Sequence, residues 1–229
     1  MLNYELRGDV ACLTLDDGKV NAIGHDMIKH INDALDKAEN EAKAVLIIGR
    51  ENMLSGGFDL KEFKKGPEAT TALVRNGFQM LTRMYGFPLP LVTACTGHAV
   101  ALGAFLLLAS DTRIGTHGDF KITLPETAIS MEVPAALMTL CVSRLTTQHL
   151  TRAAIQAEVY TPEGAVEAGF YDEVTDLDNL VEHALGVAQR LAQLPTEFYG
   201  RNKLLARNDL LATMQNNVDE ISAQLEATA

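Results

Sequence analysis

Short continuous apolar runs that alternate with stretches of helical periodicity predict an α/β fold. The runs are AVLIIG at 44–49 and LVTAC at 91–95, and each reads as a strand buried on both faces. Apolar residues at helical spacing fill the stretches at 25–41 and 69–84.

The elements follow in order. Residues 2–7 and 10–16 alternate apolar and polar around Arg7-Gly8-Asp9, as a hairpin does. From His25 to about Glu41, the residues Met27, Ile28, Ile31, Ala34, Leu35 and Ala38 fall on one helical face. The 44–49 strand comes next, then a loop around LSGGFDLKE, the 69–84 helix and the 91–95 strand. GHAVALGAFLLLASD, 97–111, supplies a glycine-containing turn and an apolar helix over 103–109, and TRIG at 112–115 is a short strand. Beyond Pro134 the chain turns mostly helical. Pro162-Glu163 open a short helix at the favoured N-terminal position and Gly169 closes it. Residues 177–193 and 197–226 form amphipathic helices separated near Pro195, with no internal repeat or low-complexity linker.

Composition narrows the function. The chain has 229 residues, 47% hydrophobic and 21% charged, enough to bury a sizeable core. A formal charge of −11 opposes nucleic acid or an anionic membrane as a partner. Cys12, Cys95 and Cys141 are far apart in apolar surroundings and read as buried, reduced thiols, and neither they nor the six histidines show metal-ligand spacing. With no signal peptide and no apolar run of membrane-spanning length, the expected location is the cytoplasm.

Two glycine turns can offer chemistry without side chains. A turn that opens a helix exposes unpaired amides and the positive end of the helix dipole. Ser55-Gly56-Gly57-Phe58 and Ala101-Leu102-Gly103 are such turns, and two of their amides converging on one oxygen would form an oxyanion hole. Read alone, these glycines equally serve tight turns and close packing.

VNAI at 20–23, LSGGFDLKE, TGHAVALGAFLLLASDTRIG, FKITLPE and TPEGAVEAGFYDEV stand in the order and approximate spacing of the enoyl-CoA hydratase/isomerase family of the crotonase superfamily. The chain resembles that family over nearly its whole length. The resemblance implies a spiral core of repeated ββα units over 1–190, with a C-terminal helical region over 191–229 used for trimer contacts, in a homotrimer or hexamer. It implies an acyl-CoA thioester as substrate, with CoA part of that substrate rather than a separate cofactor and no metal. It places the enolate oxygen between the Phe58 and Leu102 amides. CoA and acyl contacts are then expected from Ala22, Gly56, Gly57, Phe58, Asp59, Leu60, Lys61, Gly103 and Phe105.

The chain also departs from the family pattern. Ala101-Leu102-Gly103 replaces a run of small residues, so Leu102 must give its amide while its side chain stays clear. Phe105 stands where hydratases carry their first catalytic glutamate. Glu126, in ITLPE, fills the second acid position, and apolar neighbours such as Phe105 and Leu124 would raise its pKa and improve it as a base near neutrality. Its other reading is a solvated helix cap after Pro125. Ala128–Ala136 replaces a glycine-rich loop, and Glu132 within it is either a substitute acid or an exposed loop residue. Lys61, Lys64 and Lys65 lie where the adenosine of CoA would be, or form a solvated helix face. His98 reads as packing, and Asp111 as a helix-end residue bonded to backbone or to Arg113. Serine hydrolysis is disfavoured, because Gly-x-Ser-x-Gly is absent and Ser55 has no evident histidine partner. One remaining acid suits a double-bond shift of an enoyl-CoA. Hydration is the alternative, and a catalytically silent acyl-CoA binder is the third reading, favoured if Glu126 turns away from the two glycine turns.

Overall fold

A computed structural model describes residues 1–228. The chain starts with β1 (Leu2–Arg7), β2 (Val10–Leu15) and α1 (His25–Glu41). The next turn of the spiral is β3 (Ala44–Ile48), β4 (Asn52–Ser55), the short α2 (Leu60–Phe63) and α3 (Pro67–Tyr85). It is followed by β5 (Leu91–Cys95), β6 (Gly97–Val100) and α4 (Leu102–Ala109), then by β7 (Thr112–Thr116), β8 (Ile122–Thr123), a 3₁₀ turn at Thr127–Ile129 and α5 (Ala135–Arg144). The chain then forms α6 (Thr147–Ala154), β9 (Val159–Tyr160), α7 (Pro162–Ala168), β10 (Glu173–Thr175), α8 (Leu177–Leu191) and α9 (Thr196–Thr228).

The strands form two sheets, one ordered β1-β2-β3-β5-β7-β10 and the other β4-β6-β8-β9. β1 and β2 pair antiparallel through Leu2↔Leu15 and Arg7↔Val10, and β2, β3, β5, β7 and β10 are parallel. Each of β3–β4, β5–β6 and β7–β8 therefore gives one strand to the large sheet and the next to the small one before a helix returns the chain. This is the repeated ββα spiral of the crotonase fold.

The apolar runs acquire a physical reason in this arrangement. Val45 and Ile47 of β3 face the main core, whereas Ala44, Leu46 and Ile48 face a second cluster closed by Leu180, Ala184 and Leu185 of α8. Both faces of the sheet are covered, so alternation disappears from the sequence. All eight residues of α4 are buried, which is why that helix is apolar all round.

The C-terminal helix continues the same body. α9 packs along α3 and α5 and sends Met214 and Val218 into the main core. Its buried Lys203 donates to the carbonyls of Phe87 and Leu89 at 2.6 and 2.8 Å and to Asp111 Oδ2 at 2.6 Å. Among the described residues no helix is long and apolar enough to cross a membrane.

Candidate active site

The loop after β4 is held from below by side chains that sequence reasoning passed over. Asn21 is fully buried with φ of 50°, and its Nδ2 donates to the carbonyls of Leu15 and Leu54 at 2.9 and 3.0 Å. Asp17 accepts from the Asn21 and Ala22 amides at 2.8 and 3.0 Å, which fixes this unusual backbone. The carboxyl of Asp17 is held below the usual range, because these backbone donors outweigh its desolvation. Ser55 Oγ donates to the Asn21 carbonyl at 2.7 Å and accepts from the Gly57 amide at 3.1 Å. Ile23 N donates to Gly57 O, and Asp59 N to Ile23 O, at 2.8 and 3.1 Å. This bridge uses the amides on either side of Phe58. The Phe58 N–H itself has no partner among the described residues.

The second turn meets the first directly. Ala101, the residue before α4, has φ 52° and ψ −124°, a region that costs a non-glycine residue roughly 1–3 kcal/mol. Leu102 is the first residue of the helix, where no intrahelical acceptor exists, and its amide also has no partner among the described residues. A Cβ placed on Gly103 would collide with the Ser55 carbonyl, and one on Gly57 would lie 3.0 Å from Ala101 Cβ and 3.5 Å from Leu102 N. Both glycines are thus explained by close approach of the two turns.

Above them lies a cavity of about 250 Å³, lined by Gly56, Phe58, Leu60, Val100, Ala101 and Leu102 from the two turns. Phe63, Phe78, Glu126 and Leu137 also line it. Glu126 is 7% exposed, and its Oε2 is buried without a hydrogen-bond partner among the described residues. Its backbone is fixed, since the Glu126 carbonyl accepts from the amides of Ile129 and Met131 at 3.1 and 2.8 Å. Burial raises the carboxyl pKa above the usual glutamate value. Chemically, the cavity holds one poorly solvated proton acceptor, and its apolar lining includes the two residues whose amides have no partner among the described residues.

The remaining expected contacts are distributed unevenly. Ala22 and Asp59 line a separate groove with His25, Glu62 and Lys65 on the other side of the loop. Lys61 is exposed and lines neither space, and Lys65 pairs with Glu62 at 2.7 Å. Gly57 and Gly103 are buried beneath the cavity rather than on its wall. Phe105 is fully buried in the main core and does not line the cavity, so its side chain contributes packing. Leu102 keeps its side chain buried while contributing to the wall. Glu132 is exposed and reaches the cavity from the altered loop. His98 Nδ1 accepts from the Lys121 amide at 2.9 Å, and its ring sits edge-on to Phe120. The expected partner of Asp111 needs correction in part. It accepts the Leu91 amide at 2.8 Å and ion-pairs with Lys203 and Arg207, whereas Arg113 binds Asp172, with its Nε donating at 3.1 Å.

The chain matches the sequence model of the family described as enoyl-CoA hydratase/isomerase over residues 5–223. It is similar to a solved enoyl-CoA hydratase/isomerase family protein from Pseudomonas syringae, at 42% identity and a TM-score of 0.93, covering 96% of this chain and 95% of that one. It is also similar to the apo enoyl-CoA isomerase of Mycobacterium tuberculosis, at 35% identity and a TM-score of 0.92, covering 97% of each chain. A probable enoyl-CoA hydratase of Bacillus subtilis is 34% identical over 121 residues, 51% of this chain and 46% of the relative. The alignment thus spans about half the length of that relative, and the two sets of names divide between isomerase and hydratase. With the two-sheet spiral and a family match across nearly all of its length, the chain belongs to the enoyl-CoA hydratase/isomerase family.

Proposed function

We propose that the protein is an acyl-CoA thioester enzyme that moves a double bond from the 3 to the 2 position, with Glu126 as its single acid-base group. The observation that carries this reading is a buried carboxyl, one oxygen of which has no partner among the described residues, on the wall of a cavity also lined by the two residues whose amides have none. The Glu126 carboxylate takes a proton from the α-carbon, and the electron pair moves onto the thioester oxygen. The Phe58 and Leu102 amides stabilise that enolate by about 3 kcal/mol per donor. The same carboxyl then returns the proton at the γ-carbon. No water is consumed, so one carboxyl suffices. Burial raises its pKa, which strengthens it as the base for the first transfer.

CoA enters and leaves as part of the substrate. Its thioester end lies over Gly56, Gly57, Phe58 and Leu60, and its adenosine end lies toward the groove of Ala22 and Asp59 and the lysines at 61, 64 and 65. The three unpaired, buried cysteines fit a reducing cytoplasm. A second reading is hydration. It is supported by Glu132, a second carboxylate on the cavity wall, and requires that residue to activate water. A panel of 2-enoyl- and 3-enoyl-CoA thioesters assayed with wild type and Glu126→Gln separates the readings. The isomerase reading expects 3-enoyl substrates to be converted and Glu126→Gln to be inactive with binding intact. Hydration of 2-enoyl substrates that depends on Glu132 supports the second reading.

A further inference from the structure

Gly77 lies within α3, a 19-residue helix, where glycine is the poorest residue after proline. What it touches accounts for its presence. A Cβ at this position would stand 2.5 and 2.6 Å from Cε1 and Cζ of Phe58 and 3.5 Å from Cδ2 of Leu102. The Phe58 ring leans on Phe63, with centroids 5.8 Å apart, and also lines the cavity that holds Glu126. The ring therefore stands between the helix and the cavity, with its back seated where a side chain is missing. Any group added at 77 must push the ring tip into open space, and the cavity is that space.

The cavity volume sets a scale. An apolar cavity of about 150 Å³ holds benzene, or about 25 Å³ per carbon. The observed 250 Å³ then holds about ten heavy atoms, or about eight carbons beside the thioester oxygen and sulfur. Buried Phe78 and Leu137 line it from the core side.

We propose that the contact between Gly77 and Phe58 is a length gauge for the acyl group, seating the ring back against α3 so that the cavity admits a linear chain of about eight carbons. This rests on the reading of the cavity as an acyl-CoA site. Gly77 touches no substrate and acts through Phe58, so it is a positioning residue.

The test compares kcat/KM for 3-enoyl-CoA substrates of four, eight and twelve carbons, and Kd for the matching saturated acyl-CoAs, in wild type, Gly77→Ala, Phe58→Leu and the double variant. Wild type should favour eight carbons. Gly77→Ala should lower the eight-to-four ratio about tenfold, the effect of removing room for roughly one methylene. Phe58→Leu should raise the twelve-to-eight ratio, and the double variant should return toward wild type. A loss by the same factor at every length, or unchanged ratios, would overturn the gauge. Phe58→Leu alone decides the matter if Gly77→Ala does not fold, because an unchanged ratio there is equally fatal. Binding ratios that shift as stated without turnover of any substrate would overturn the isomerase reading and keep the gauge, and failure to bind any acyl-CoA would overturn both.

Discussion

Glu126 combines a fixed backbone, a buried carboxyl and a cavity wall, and each has a measurable consequence. Replacing it by glutamine keeps shape and removes the proton acceptor, so turnover should fall about 10³-fold with acyl-CoA binding little changed, checked by steady-state kinetics and calorimetry. Stability should respond as well. The folded carboxyl has a raised pKa, so between the ordinary glutamate value and that raised one the folded protein binds more protons than the unfolded chain. Stability falls as pH rises through this window. Urea unfolding should therefore find Glu126→Gln more stable than wild type at pH 7, with the difference gone well below the ordinary carboxylate range; equal stability at both pH values would contradict the buried charge. Leu102→Pro tests the amide. Proline is tolerated at the first helical position, so a variant with wild-type circular dichroism should lose about 10²-fold in turnover while Leu102→Ala keeps most of it. The family resemblance pointed to Glu126 through ITLPE and to the Phe58 and Leu102 amides by motif position, whereas the glycine turns read alone equally served close packing. Asn21 was noted only as part of VNAI and Asp17 not at all, because side chains that bond to backbone amides and carbonyls leave no spacing that shows their role.

α4 carries the Leu102 amide at one end and ends beside Asp111, which Lys203 of α9 binds. Desolvation lowers the Lys203 pKa to about 8, although the adjacent Asp111 carboxylate favours its charge. Lys203→Ala would leave Asp111 short of a buried partner and should cost about 3 kcal/mol, read from the urea midpoint. Phe105 lies one turn into the same helix. Introducing glutamate there restores the residue type that hydratases carry, yet Phe105 is fully buried and off the cavity wall. Phe105→Glu should destabilise by about 4 kcal/mol, with no gain in hydration; a folded variant that hydrates 2-enoyl-CoA would show that this position reaches the substrate. At this scale the longer elements were legible. The strands at 44–48 and 91–95 and the helices α1, α3 and α8 follow from apolar runs and periodicity. The small sheet was not, since β4, β6, β8 and β9 have only two to four residues each and too few positions to display a period.

Across the whole molecule, the alternation of apolar runs and helical stretches was enough to anticipate an α/β core, and the spiral of ββα units followed only from the resemblance to the family. Where α9 docks was not legible, since an amphipathic pattern gives a helix a buried face without saying what covers it. α9 exposes Phe198, Leu204 and Leu205, which the homotrimer or hexamer expected from the resemblance would have to cover. Light scattering should give a mass that is a multiple of three 24.8 kDa chains, and Leu205→Glu should shift it downward; a monomer at every concentration would contradict that assembly. In the proposed reaction one carboxyl carries a proton across the substrate while two amides hold the oxygen. That transfer is tested most directly by incubating wild type with a 3-enoyl-CoA deuterated at the α-carbon and locating the label by NMR. The expected product is a 2-enoyl-CoA with deuterium at its γ-carbon, absent with Glu126→Gln. A 3-hydroxyacyl-CoA product, or γ-labelled product formed equally well by Glu126→Gln, would contradict the proposed reaction.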